Sequence, residues 1–122
     1  MRFTLDRPGH VNLVASYAPG EVRIGERVIV SSVIVTADRL VEDWLVADAA
    51  GLSAELLEAV LDLQPEVVVL GTGERQVFPE PALFAAVAGR GVGLEVMDNG
   101  AACRTYNVLL AEDRRVALAL IL

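Results

Sequence analysis

The spacing of apolar and polar positions changes character along the chain. Leu13 to Ala18 reads as a first strand, and Pro19-Gly20 marks a turn. Glu21 to Ile24 alternates, with Val22 and Ile24 on one side and Glu21 and Arg23 on the other, the period of two of a half-exposed strand. Gly25-Glu26 permits a tight turn into Arg27 to Val30, and Ser31-Ser32 interrupts before Val33 to Thr36. The first third therefore predicts a β meander of hairpins.

Beyond Thr36 the pattern is mixed. Ala37 to Ala50, which contains Trp44, is expected as an irregular or short strand segment. Ser53 can cap a helix running to about Leu63, with Glu55 in its first turn and Leu56, Leu57, Val60 and Leu61 as its apolar stripe. Pro65 ends it. Val67 to Leu70 is a continuous apolar run, as in a strand covered on both faces, and Gly71-Thr72-Gly73 stops it. Pro81 to Ala88 is nearly all apolar and predicts a short buried helix. Gly91 and Gly93 frame a strand ending near Met97. Asp98-Asn99-Gly100 turns into a third helix, about Ala101 to Ala111, with Ala102, Tyr106 and Leu109 on its core face. Val116 to Leu122 closes the pattern as an apolar strand. Alternating strands and helices predict an α/β fold: a three-layer single domain over residues 1–122, with a mixed central β-sheet, helices packed on it and an N-terminal β-hairpin meander. Residues 1–10 are expected to form a loose N-terminal arm.

Composition removes several function classes. Seventeen acidic residues against ten basic ones give a formal net charge of −7, and all ten basic residues are Arg. An acidic chain without Lys argues against general nucleic-acid binding and against docking on an anionic membrane. The longest apolar runs are far short of a membrane span, so the protein is not expected to be membrane-embedded. Met1 to His10 holds charges and Pro8-Gly9 rather than an apolar stretch, so it does not read as a secretory signal. One Cys and one His cannot supply the usual zinc ligand set, and a lone thiol fits a reducing cytoplasm. No metal, no cofactor and a cytoplasmic location are expected.

Candidate chemistry concentrates in two loops. Gly71-Thr72-Gly73 follows one interior strand and Asp98-Asn99-Gly100 follows the other. If the two strands run parallel, both loops reach the carboxyl edge of the sheet, where open α/β sheets place ligand crevices. The start of the third helix would offer free N–H groups to an anion, with Arg75 and Arg104 adding positive charge. The plain alternative is that the glycines only turn the chain and that Asp98 or Asn99 only caps the helix. The loop is neither a dinucleotide fingerprint nor a Walker A loop, and no Gly-x-Ser-x-Gly elbow is present. Cys103, beside Arg104 and near the helix start, has features that lower a thiol pKa, although inert packing is the commoner role of a half-buried Cys. Asn107 can bind a ligand or tie down a neighbouring loop, with the loop favoured. Thr105 faces the opposite edge. The candidate ligand-binding set is Gly71, Thr72, Gly73, Arg75, Asp98, Cys103, Arg104, Thr105 and Asn107, with no complete catalytic set.

Two signatures carry a family resemblance: Gly71-Thr72-Gly73-Glu74-Arg75 after an apolar strand, and Ala102-Cys103-Arg104-Thr105-Tyr106-Asn107 followed by Leu109, Glu112 and Arg114. With Trp44 upstream and the apolar ending, the chain from about Val11 to Leu122 resembles the family of small single-domain proteins that includes mitochondrial respiratory complex I assembly factor 3 and the adipogenesis-associated domain protein. The resemblance implies a three-layer α/β fold with a mixed sheet and no established catalytic activity. It also implies work done by binding partner proteins. Two loops depart from the family pattern: Asn99-Gly100 stands where Thr-Pro is expected, and Glu112-Asp113-Arg114 where Glu-Gly-Arg is usual. The lack of a mitochondrial targeting extension suggests a bacterial member. The expectation is a non-enzymatic, assembly-factor-like domain with a protein partner. The rival is a small-anion-binding protein or enzyme working in the crevice. Apolar surface on the early hairpins could also support a homodimer.

Overall fold

The computed structural model describes residues 11–122, so the expected arm at residues 1–10 lies outside the described residues. Three antiparallel strands come first: β1 (Val14–Ala18), β2 (Glu21–Ile24) and β3 (Arg27–Ile29) form a sheet of their own, in that order. Gly20 and Gly25 take positive φ in the two tight turns, a conformation that carries no Cβ penalty at glycine. The meander then divides. β4 (Val33–Val35) and the short β5 (Leu40–Val41) leave it and join the central sheet. The break falls at Ser31-Ser32, where the buried Ser32 hydroxyl donates to the Val46 carbonyl at 2.7 Å and accepts from the Leu122 amide at 3.0 Å.

The remaining elements are α1 (Ala54–Leu61), β6 (Val67–Gly71), α2 (Pro81–Ala88), β7 (Gly93–Met97), α3 (Asn99–Ala111) and β8 (Val116–Leu120). The irregular stretch after Thr36 resolves into β5 and a 3-10 turn at Ala49–Gly51, capped by Asp48. Ser53 caps α1 as expected, its Oγ accepting from Leu56 N at 3.2 Å, a contact worth about 1 kcal/mol. The helix ends at Leu61, short of Pro65, and Gln64 turns the chain with φ of 60°.

The central sheet runs β5-β4-β8-β6-β7, with β6 parallel to both β7 and β8 and β4 antiparallel to β8 and β5. It is therefore mixed, and it is the middle of three layers. β6 and β8 are buried along their whole length, as their unbroken apolar runs require. One face packs α1, α2 and Trp44 against Val68, Leu70, Ala117 and Ala119. The other packs α3 and the three-stranded sheet against Val67, Val69, Leu118 and Leu120.

Two expectations are corrected. α2 is not buried all round: Leu83 and Val87 face the core, whereas Pro81, Ala82, Ala85, Ala86 and Ala88 are exposed. It covers the edge strand β7 with one stripe, and alanine on the outer side costs little in a helix. α3 begins two residues earlier than expected, at Asn99, because Asp98 is the cap.

Candidate functional site

Strand register delivers three exits to one rim. Gly71 at the end of β6 pairs with Met97 of β7 on one side and Leu120 of β8 on the other. The two loops expected to flank a crevice are neighbours, but they are joined to each other. The Thr72 amide donates to the Met97 carbonyl at 3.0 Å, and Asn99 N donates to the Gly73 carbonyl at 2.8 Å. Gly73 holds φ of 111°, which favours glycine, and its amide donates to Asn99 Oδ1 at 3.1 Å. The buried Thr72 hydroxyl donates to the Arg75 carbonyl at 2.7 Å and accepts from the Val77 amide at 2.9 Å, fixing the loop from within.

The direction of strand addition reverses at β6, with β7 added on one side and β8 on the other. Such a reversal is where open sheets tend to leave a cleft. The Asn99 side chain lies across it. Its Nδ2 donates to the Ile121 carbonyl at 2.9 Å and lies 3.4 Å from the Tyr17 hydroxyl. Asn99 is only 1% exposed. A Cβ at Gly71 would collide with Asn99 Oδ1 and come 2.7 Å from Leu120 Cδ2, so glycine at 71 makes the space the amide occupies. Buried polar atoms must find partners, and here the amide closes three elements together.

The third helix divides the remaining candidates by face. Asp98 accepts from Ala101 N at 2.9 Å, so its carboxylate occupies the helix start itself. Arg104 is exposed one turn on, its guanidinium beside Gly100, and Arg75 is exposed in the loop after β6. Among the described residues neither arginine forms an ion pair. Cys103 points inward and is 4% exposed. Burial pushes its thiol up to about 11, outweighing the lowering effect of the neighbouring Arg104 charge, which runs against a reactive thiolate. Asn107 turns towards β1, accepting from Val14 N at 3.0 Å and donating to Val14 O at 2.9 Å. Thr105 is half-buried on the same helix.

The structure thus brings Gly71, Thr72, Gly73, Arg75 and Asp98 to one rim and separates them from Cys103 and Asn107, which serve the inner face of α3. Sequence reasoning passed over Asn99 as a simple cap, and passed over Asn12 and Tyr17 altogether. The available signal was an Asn placed directly after a capping Asp, on a helix that follows an interior strand. Among the described residues no group of three or more His, Cys, Asp and Glu side chains could hold a metal ion. No described helix is long and apolar enough to cross a membrane.

Comparison with known proteins adds four findings. The model of a family described as "Protein of unknown function (DUF498/DUF598)" matches residues 14–121. The chain is 32% identical over 111 residues to the zebrafish (Danio rerio) protein named NADH dehydrogenase (ubiquinone) 1 alpha subcomplex assembly factor 3, covering 89% of this chain and 63% of that one. It is also 32% identical over 74 residues to the 13 kDa major membrane protein of Francisella tularensis, covering 61% of this chain and 60% of that one. The chain therefore spans about three fifths of the length of these relatives. An NMR structure of a Xanthomonas campestris protein superposes with a TM-score of 0.85 at 43% identity, covering 99% of this chain and 92% of that one.

Proposed function

Given that the chain belongs to the DUF498/DUF598 family, we propose that it is a protein-binding domain of assembly-factor type rather than a catalyst. One observation carries the proposal: the Thr72 and Asn99 side chains and the loop amides at the carboxyl rim are engaged with one another, while Leu45, Phe78 and Val30 stand 83%, 65% and 72% exposed. Exposed large apolar side chains suit a protein contact, because covering them removes apolar surface from water. The relatives named as assembly factors agree with this reading. Val28 on β3, the outer strand of the small sheet, and Val30 just beyond its end are the hairpin positions that a homodimer would use. The cytoplasm is the compartment we assign.

The test is capture followed by reconstitution. A protein captured by the tagged chain at physiological salt should, once purified, re-form a complex of fixed stoichiometry with it on size-exclusion chromatography. If no captured protein does so, the reading fails.

A second reading has one observation in its favour. Arg75 and Arg104 lie exposed near the rim and, among the described residues, outside any ion pair. Their guanidinium groups would hold a small anion beside Gly73 and Asp98. Phosphate should then raise the melting temperature of the wild type and leave that of Arg104→Ala unchanged. Equal shifts in both proteins would remove this reading.

A further inference from the structure

The layer containing α1 and α2 presents an uneven outer surface. α2 lies over β7, α1 lies beside α2, and the Glu42–Leu52 segment completes the layer. The Trp44 indole N–H donates to the Leu56 carbonyl at 2.9 Å, fixing that segment to α1 and leaving Leu45 83% exposed beside it. On the α2 side Phe78 is 65% exposed, its ring centroid 6.4 Å from that of Phe84. The loop that carries Phe78 is held by Thr72 and by Gln76, whose Nε2 donates to the Val96 carbonyl at 2.9 Å. The outer face of α1, next to α2 and to the segment carrying Leu45, exposes Ala54, Ala59, Glu55, Glu58 and, at its C-cap, Asp62. Small side chains there permit close approach, and the face is acidic.

The charge pattern says what fits. From Leu40 to Glu74 the chain holds eight carboxylates and no basic residue, with Glu42 paired to Arg27 and Glu66 to Arg114 from outside the stretch. Arg90, just beyond α2, pairs with Glu58, leaving Glu55 and Asp62 exposed on the outer face of α1. A second copy of this chain would oppose acid to acid across a two-fold contact, and an anionic lipid surface would be repelled. We infer that this face docks a cationic, amphipathic segment of a partner protein, its apolar side chains on Leu45 and Phe78 and its Lys or Arg side chains along α1. The inference rests on the binding-domain reading above and specifies the chemistry of the partner.

The experiment is an NMR titration of the isotope-labelled chain with a synthetic amphipathic Leu/Lys/Ala helical peptide and with its Glu-for-Lys counterpart, at low and high salt. Amide shifts should cluster at Leu45, α1 and Phe78 for the Lys peptide, weaken with salt, and be absent for the Glu peptide. The double variant Leu45→Ser/Phe78→Ser, altered only at exposed positions, should weaken binding by about tenfold or more. Glu55→Gln/Asp62→Asn should weaken it less and flatten its salt dependence. Three results would overturn the inference: shifts spread over other acidic surfaces such as Glu112 and Asp113, unchanged binding by the serine variant, or equal binding of the Glu peptide. Self-association of the free chain through Leu45 and Phe78 would also overturn it, by making a second copy the occupant. Partner capture repeated with the serine variant keeps the two proposals apart, since capture that persists retains the binding domain and removes only this face.

Discussion

On one face of the central sheet, α1 and α2 rest on Val, Leu and Ala side chains and show ions to solvent, such as the exposed Arg90–Glu58 pair. On the other face, α3 reaches back to the start of the described chain with directed polar bonds. Asn107 brackets Val14 across 93 residues of sequence, and the Tyr106 hydroxyl donates to the Asn12 carbonyl at 2.6 Å. Asn12 in turn donates from Nδ2 to the carbonyls of Thr36 and Arg39, both at 3.1 Å, and so ties β1 to the β4–β5 turn. The difference follows from what each face must cover. Helices satisfy their own backbone and need only apolar contact, whereas β1 is the end strand of a small sheet and presents unpaired amides and carbonyls. Polar residues on a helix can therefore complete a neighbouring strand, and the Tyr106-Asn107 pair does so.

Removing the ring at the centre of the stapled face should have the largest effect. Tyr106→Ala is expected to cost about 3–5 kcal/mol in urea unfolding, since it deletes a fully buried aromatic and orphans the Asn12 carbonyl. A loss below about 1 kcal/mol would mean that the face is held elsewhere. Asn107→Ala should cost about 2 kcal/mol and, more tellingly, speed amide exchange in β1 and β2 while leaving α1 unchanged. Its counterpart on the apolar face, Glu58→Ala, should change stability by less than about 0.5 kcal/mol. If the two variants prove equal, the contrast between the faces is lost.

The smallest effect is confined to alkaline pH. Burial raises the Cys103 thiol from 9.0 to about 11, so above pH 9 the unfolded chain releases a proton that the folded chain keeps. Stability should therefore fall as pH rises from about 9 towards 11, with Tyr106, whose hydroxyl burial also raises, adding to the loss at the upper end. Cys103→Ala should shallow that slope without altering stability's pH dependence near neutrality. An unchanged slope would place the thiol in a more solvated setting than the structure gives it.

Much of the architecture was legible because period and run length are local signals. The apolar run at 67–70 announced a strand covered on both faces, that at 116–122 a closing apolar strand, and Ser53 a helix start that the structure keeps. The separation of β1–β3 from the central sheet was not legible, since it depends on Ser32 bonding Val46 and Leu122. The rim was legible as a place and not as an arrangement. Parallel pairing of β6 and β7 was foreseeable from the alternation of elements. That the Asn99 amide would lie over Gly71 requires knowing that β8 arrives on the other side of β6. For the same reason Cys103 and Asn107 looked like parts of one site, when their partners lie in β1 and the inner core.

The position of β8 has a consequence for how the protein is made. It is the middle strand of the central sheet, between β4 and β6, yet it is the latest in sequence, with Val33 pairing to Leu120 and Val67 to Val116. During translation the hairpin of β4 and β5 and the unit of β6, α2 and β7 can each gather, but no strand pairs them until Val116–Leu120 clears the ribosome exit tunnel. Until then the nascent chain holds two half-sheets with open flanks of Val, Ile and Leu. Closure comes as one late, long-range event, which favours slow folding and makes the interval before it the time when chaperones matter most.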